Sequence, residues 1–597
     1  MALKDIIFGK KNQSESKPDK TVSSNKKKVD SVNDKSVAGD GKSANELEAP
    51  YRPTIQFISA EGIGTYWKKP EVSSGYEIYR SYKEDETGEL VMTINDKLLG
   101  IWTDDSFDRQ YREVFYRVRS FFKEDDGTIR YSDFSEQFSA KYRDELELER
   151  VITYVHSGDK RRMRAFYGWG ELEDAVWKSS DESVATIGED GTITGVSKGE
   201  CDITCESPSL GISESARVVV DRSAPDPLTE ITSRYVYDPE TGIWNDPNAE
   251  NTNRAVIMMT GDMMCGKGQI EKQYNEEEGW NFNDSFDYVK EITDGSDFTI
   301  GNLETLLDPA WPYMTDEWFI DNISNCNAPP RYLDAVKYGG FDGVVMANNH
   351  ACDGGPSALL ATIDQVDRYK LIRTGSYKSK DEKRYAIVNI NGIKVGFLAY
   401  MSMKTGYKGK DRQLSPEQKE VMLNNYTDEK AAKDIADCRK DGAEYVIVYM
   451  HWGQKNYKNP TKAQIIEAQG VADAGADYVI GSNPHVLERY DELTAKDGRT
   501  VPCFYSLGNF HARMNQITGN RDSVMVKIML QKNKDGKVVL GENTYIPFFT
   551  FSRFEGCYLV PVSVCEKHHN GIERYRRKAK YDRIRKLIGN KIRVCDK

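Results

Sequence analysis

The chain has 597 residues, 39% hydrophobic and 29% charged, with a formal net charge of -12. That length exceeds what one hydrophobic core supports, so several domains are expected. The acidic balance argues against a nucleic-acid partner, which needs Lys and Arg clustered on one face, and no stretch reaches the roughly 20 apolar residues of a membrane-spanning helix.

Ile6, Ile7 and Phe8 are followed at once by Lys10 and Lys11, too short a run for the apolar core of a signal peptide, about 7–15 residues long. Residues 1–50 are rich in Lys, Ser, Asp and Asn and read as a disordered tail, because they cannot bury enough apolar surface to offset ordering entropy. From 51 to 145, alternating runs such as Gly75-Tyr76-Glu77-Ile78-Tyr79-Arg80 and Val114-Phe115-Tyr116-Arg117-Val118-Arg119 are separated by turn signals. They predict a small β-sandwich. With Trp67 on an early strand, the segment resembles a fibronectin type III module.

Residues 149–221 carry Trp177-Lys178-Ser179, then Val184-Ala185-Thr186-Ile187 and Asp190-Gly191-Thr192-Ile193-Thr194. The Asp-Gly pair predicts a hairpin between alternating strands. The stretch resembles a bacterial Ig-like (group 2) module with Trp177 as its core plug, a type of module that works as a spacer or adhesin on cell surfaces. Cys201 and Cys205, the closest pair of ten cysteines that contain no CxxC, would lie roughly 13 Å apart along a strand. That is beyond bridging distance, so they read as small buried hydrophobes.

Residues 222–251, with Pro225, Pro227, Pro239 and Pro247, read as a linker. Beyond them the rhythm becomes strand, loop, helix. Continuous apolar strands are predicted at 255–260, 297–300, 343–346, 445–450 and 478–480, with a helical stripe at Leu359, Ile363, Val366 and Tyr369. This predicts an α/β layered domain. In such folds ligands gather at the carboxyl ends of strands, and here those ends carry Asp262, Asn302 and Glu304, Asn349-His350 with Asp353, His451, and Asn483-Pro484-His485. Of seven histidines in the chain, three fall at these ends. Carboxylates, imidazoles and amide oxygens are ligands for divalent zinc, manganese or iron, so a metal site is expected, with Cys265 and Cys352 as packing residues nearby.

The ordered set Thr260-Gly261-Asp262, Gly301-Asn302-Leu303-Glu304, Asn348-Asn349-His350 with Asp353, His451-Trp452-Gly453, Pro484-His485-Val486 and Ser506-Leu507-Gly508-Asn509-Phe510 resembles the poly-γ-glutamate capsule-biosynthesis (CapA) family. The resemblance covers 252–565 and implies a calcineurin-like metallophosphoesterase fold, an αββα sandwich of two sheets flanked by helices. It implies Asp262 on a first metal, Asn302 or Glu304 between two metals, Asn349 and His451 on a second, Asn483 and His485 completing the set, and His350 with Asp353 in acid catalysis. Asn509 and His511 are expected to bind substrate. Three positions depart from the family pattern: Met264 and Asn483 stand where histidines are usual, and Asn302 where an aspartate is. One or two divalent ions are therefore expected.

Residues 566–597 read as a basic helix packed by Tyr575, Tyr581, Ile584 and Leu587, with Arg583, Arg585 and Lys586 on a solvated face suited to an acidic polymer. The implied function is metal-dependent hydrolysis of a phosphoester or related group in surface-polymer assembly, with capsule-synthesis machinery as partner. The alternative is a non-catalytic scaffold binding polymer through a degenerate site. The module types point to the cell surface, and the N-terminus to a cytoplasmic alternative.

Overall fold

A computed structural model describes residues 47–59, 61–70, 72–320, 323–402, 414–514, 519–553, 556–563 and 572–595. The expected disordered tail falls almost wholly outside them. The chain divides into two compact units, Met1–Val220 and Asp221–Lys597.

The first unit holds two β-sandwiches. In the first, Tyr51–Ser59, Gly62–Lys68 and Ile101–Asp104 form one sheet, and Glu113–Lys123 anchors the other, pairing with Gly75–Ser81 on one side and with Ile129–Tyr131 and Phe138–Lys141 on the other. Strict alternation along Glu113–Lys123 turns Val114, Tyr116 and Val118 inward onto Trp67, Tyr76 and Ile78, as a two-residue side-chain period requires. The buried Asp104 accepts from Arg80 at 3.0 Å and from the Tyr116 hydroxyl at 2.8 Å. In the second sandwich, Gly199–Ser207 pairs with Val176–Ser179 and Ile212–Val220. Ala185–Ile187 and Thr192–Gly195 form the hairpin across Asp190-Gly191, with Gly191 at φ 77°. Cys201 and Cys205 are buried apolar residues. The expected plug Trp177 is partly buried and packs on the core of this sandwich, while the buried indole of Trp169 packs edge-on against Phe107 and Tyr142.

The second unit is built on two sheets. Numbering strands within it, the eight-stranded sheet contains β1 (Val236–Asp238), β2 (Ile243–Asn245), β7 (Ala386–Ile390), β8 (Ile393–Met401), β9 (Tyr445–His451), β10 (Tyr478–Ser482), β11 (Tyr490–Thr494) and β12 (Thr500–Phe504). The nine-stranded sheet contains β3 (Arg254–Met263), β4 (Phe298–Leu303), β5 (Gly343–Val345), β6 (Ile372–Thr374), β13 (Asn509–His511), β14 (Asp522–Lys532), β15 (Val538–Arg553), β16 (Gly556–Pro561) and β17 (Arg593–Val594). Their inner faces meet: Phe298 of β4 stacks on Phe397 of β8 at 4.9 Å. Along β9, Tyr445, Ile447 and Tyr449 enter this inter-sheet core, while Val446, Val448 and Met450 form a second core on the outer face with helices α2 (Asp428–Lys440) and α3 (Lys462–Asp473). On the other sheet, α1 (Gly355–Arg368) buries Leu359, Ile363 and Val366.

Two expected boundaries are corrected. Residues 222–251 are not a linker: β2 pairs in parallel with β7 and extends the sheet, because Ile243 completes the outer core. Nor is the C-terminal helix a separate segment, and its expected packing through Tyr581, Ile584 and Leu587 is present. Helix α4 (Ile572–Ile588) buries Ile584 and Ile588 in the inter-sheet core, Arg583 pairs with the buried Asp522, and β17 joins β15. Among the described residues, no helix is long and apolar enough to cross a membrane.

Candidate metal centre

The functional side chains gather where the carboxyl ends of β3, β4 and β5 in one sheet face those of β9 and β10 in the other. The strand period explains which residues arrive. His451 is the next inward position after Tyr445, Ile447 and Tyr449, and a register shift between Thr260 and Asp262 re-aims the end of β3, as bulges do. Gly261 is required there, since a Cβ would stand 2.1 Å from the Gly508 carbonyl oxygen.

Asp262, Glu304 and His485 each offer one ligand atom, all within 4.8 Å of one another, and all three are fully buried. His485 Nδ1 lies 3.2 Å from Asp262 Oδ2, and its Nε2 3.8 Å from Glu304 Oε1. His451 Nε2 lies 3.6 Å from the same Glu304 oxygen. Glu304 thus occupies the position between the two histidines. Asn302 does not: its Nδ2 donates to Asp262 Oδ1 at 2.8 Å, while its Oδ1 accepts from Asn348 at 3.4 Å. Of the two residues expected between the metals, Glu304 is the one that lies between the histidines, while Asn302, the last inward position of β4, stands beside Asp262.

His451 Nε2 meets Asn349 Oδ1 at 2.6 Å, and its Nδ1 meets the Ser482 hydroxyl at 3.0 Å. Burial pushes the His451 imidazolium down to about 3, against the opposing pull of Asp262. The ring is therefore neutral near pH 7 and available as a ligand. Burial would by itself raise the Asp262 carboxyl, but the hydrogen bond from His485, helped by that from Asn302, outweighs it and holds the group below its usual range. Asn483 turns its Nδ2 to the Trp452 and Gly453 carbonyls at 2.8 and 3.0 Å and donates its backbone N–H to Asp262. Its Oδ1 is the end left to serve a cation. Both Asn483 (φ 90°) and His485 (φ 57°) sit in the left-handed region, which costs a histidine of order 1–3 kcal/mol and persists where the surroundings over-determine it.

His350 Nδ1 is 2.6 Å from Asp353 Oδ2, which also accepts the Cys326 N–H at 3.0 Å. At 7% exposure His350 is the most accessible of these side chains. The two residues expected to bind substrate do other work. Asn509 Oδ1 lies 2.9 Å from His485 Nδ1. His511 faces the opposite side of the sheet, stacked on Tyr332, bonded to its hydroxyl at 2.7 Å and packed on Phe286. The cause is the register shift that sets Asn509 beside Asp262 but His511 beside Met263, two residues on opposite faces of β3. Burial pushes His511 down to about 4, as expected of a neutral core histidine. Two residues of this shell escaped the sequence reading as site residues, Asn348 and Ser482; their signal was position alone, each next to a ligand-type residue at a strand end.

A divalent cation fits this donor set, which is carboxylate and imidazole, and one buried atom calls for it: His485 Nε2 has no hydrogen-bond partner among the described residues.

Residues 256–514 match the family model described as bacterial capsule synthesis protein PGA_cap. Over that segment the second unit is similar to the CapA family of capsule-synthesis proteins. Capsule biosynthesis protein CapA of Bacillus anthracis is 30% identical over 289 residues, which make up 47% of this chain and 65% of that protein. PGA biosynthesis protein CapA of Bacillus subtilis (strain 168) is 28% identical over 282 residues, 46% of this chain and 68% of that protein. The match to the first relative therefore spans just under two thirds of its length. Among solved structures, the NAD nucleotidase NadN of Haemophilus influenzae aligns over 57% of this chain and 64% of its own, at 12% identity and a TM-score of 0.32. The CapA-family match ends at 514, whereas the sheets continue to β17, so the closing strands and α4 complete the fold beyond the matched segment.

Proposed function

We propose that the second unit is a CapA-type, metal-dependent hydrolase acting on a phosphoester or related group in cell-surface polymer assembly, in contact with capsule-synthesis machinery. The observation that carries this reading is the meeting of Asp262, Glu304 and His485 at ligand spacing, with the His350–Asp353 pair opening outward beside them. Asp262, Glu304 and His485 would hold a first cation, and Asn349 and His451, with Asn483, are the donors for a second. A bound divalent cation supplies Lewis acidity and neutralises charge that builds on phosphoryl oxygens. Asp353 fixes the ring of His350 through Nδ1, so Nε2 is the end that gives a proton to a leaving oxygen. Asn302, by donating to Asp262, keeps that carboxylate ionised and oriented. The near-complete burial of every other donor makes the His350 side the way in.

The non-catalytic reading draws on one observation: Asn302 turns an amide N–H, not a second carboxylate, towards Asp262, which weakens the second half of the site. Elemental analysis of the purified protein, together with hydrolysis of a generic aryl phosphate, separates the two. The hydrolase reading expects bound metal and activity that fall together in His451→Ala, and activity alone that falls in His350→Ala. A parent protein with neither metal nor activity sinks it.

A further inference from the structure

We propose that Asn509 is a positioning residue that makes His485 a metal ligand, by holding its ring in the tautomer whose Nε2 is unprotonated. The inference rests on the metal-site reading above and adds the group that sets up one of its ligands.

A neutral imidazole carries one N–H, and which nitrogen bears it follows from the partners around the ring. Two acceptors surround His485 Nδ1: Asn509 Oδ1 at 2.9 Å and Asp262 Oδ2 at 3.2 Å. The orientation of the Asn509 amide is fixed independently, since its Nδ2 lies 2.9 Å from the Asn520 carbonyl oxygen. A carbonyl only accepts, so Nδ2 is the donor there and Oδ1 is the atom facing His485. The proton is thereby placed on Nδ1. Nε2 keeps its lone pair, points toward Glu304 Oε1 at 3.8 Å, and is the buried ring nitrogen with no hydrogen-bond partner among the described residues.

The backbone is held to the same end. His485 sits at φ 57°, and its carbonyl accepts from Asn520 Nδ2 at 2.9 Å. Asn520 Nδ2 also reaches Asn456 Oδ1 at 2.9 Å, and the Asn456 N–H donates to the carbonyl of Pro484 at 2.8 Å. Asn456, Asn509 and Asn520 thus clasp a two-residue segment in a conformation a histidine seldom adopts. Such outer contacts orient ligands and tune their affinity for metal.

The test uses the full chain. Zinc(II) is titrated calorimetrically into metal-free parent, Asn509→Leu and Asn509→Asp. Side-chain nitrogen NMR reads the His485 tautomer, its signal identified by loss in His485→Gln. We expect the Nδ1–H tautomer in the metal-free parent and zinc affinity about 10–100-fold weaker in Asn509→Leu. Asn509→Asp, which keeps the acceptor oxygen, recovers most of that loss. Parent-like affinity in Asn509→Leu overturns the proposal. So does a proton on Nε2 in the parent, a measurement that stands even if Asn509→Leu does not fold. Absence of zinc binding in the parent overturns the metal-site reading itself and this inference with it, whereas a defect confined to the variants leaves that reading intact.

Discussion

His350 Nδ1 and Asp353 Oδ2 stand 2.6 Å apart across one turn, and His350, at 7% exposure, is the most accessible side chain of a site whose other donors are almost entirely buried. Asp353 is held in turn by the Cys326 N–H, so the imidazole is oriented from a fixed carboxylate. His350→Ala is expected to lower aryl-phosphate turnover by roughly 10²–10⁴-fold, the scale of general acid catalysis, with metal content unchanged. Asp353→Asn should lose less turnover, because the imidazole stays but is held less firmly. Steady-state kinetics against pH, alongside elemental analysis, checks both.

Asn302 sits 2.8 Å from Asp262 as a neutral donor. Asn302→Asp would set two buried carboxylates side by side, an uncompensated charge costing the metal-free protein about 3–5 kcal/mol. Divalent cation should restore that stability, and the bound-metal count should rise relative to the parent. Thermal melts with and without chelator, and metal stoichiometry, read the outcome. A metal count and melting temperature equal to the parent's would argue against Asn302 as the residue limiting the second half of the site.

Glu488 is buried in the same unit, and burial pushes its carboxyl up to about 8, only partly offset by the Gln464 amide at 2.7 Å. The folded state therefore holds a proton that the unfolded state releases near its ordinary carboxylate range. The resulting stability is fully present below about pH 4.3, the unfolded value, and is lost as pH rises through about 8. Denaturant melts should show stability falling across that window by at most about 1.4 kcal/mol per pH unit from this group. Glu488→Gln should remove its share of the slope. Asp342, raised to about 6 by burial, acts with the same sign and leaves a slope confined to lower pH.

Trp169 lies in the segment of the second sandwich but packs on Phe107 and Tyr142 in the core of the first. Trp169→Ala should destabilise the first unit by about 3–5 kcal/mol, and limited proteolysis should then cleave between the sandwiches. The neighbouring partly exposed Trp177 is expected to cost less on the same substitution. Equal losses at the two positions would count against this assignment.

Much of the site was legible because it is periodic. A buried strand announces itself by a continuous apolar run, and the residue that ends the run must lie at the sheet's edge. Asp262, Asn302, His451 and the Asn483–His485 segment could therefore be placed at one edge from spacing alone. The aliphatic stripe from Leu359 to Val366 marked α1 by the same logic. Segments without period were misjudged. The proline-rich 222–251 stretch hides two three-residue strands, too short to show alternation, and they exist because β7 offers an open edge and Ile243 has a core to enter.

By itself the sequence determined the long strands and the helix with a clear period and which ligand-type residues cluster at the strand ends, since both follow from local spacing. Tertiary structure alone decided what each residue does. Glu304 and not Asn302 lies between the histidines, Asn509 grips His485 while His511 turns away to Tyr332, and the His485 ring presents Nε2. Each outcome depends on a register shift or hydrogen bond between residues far apart in the chain. Asp262 and Asn509, separated by 247 positions, are neighbours only because β3 and β13 pair with one residue out of step, and no local pattern encodes that pairing.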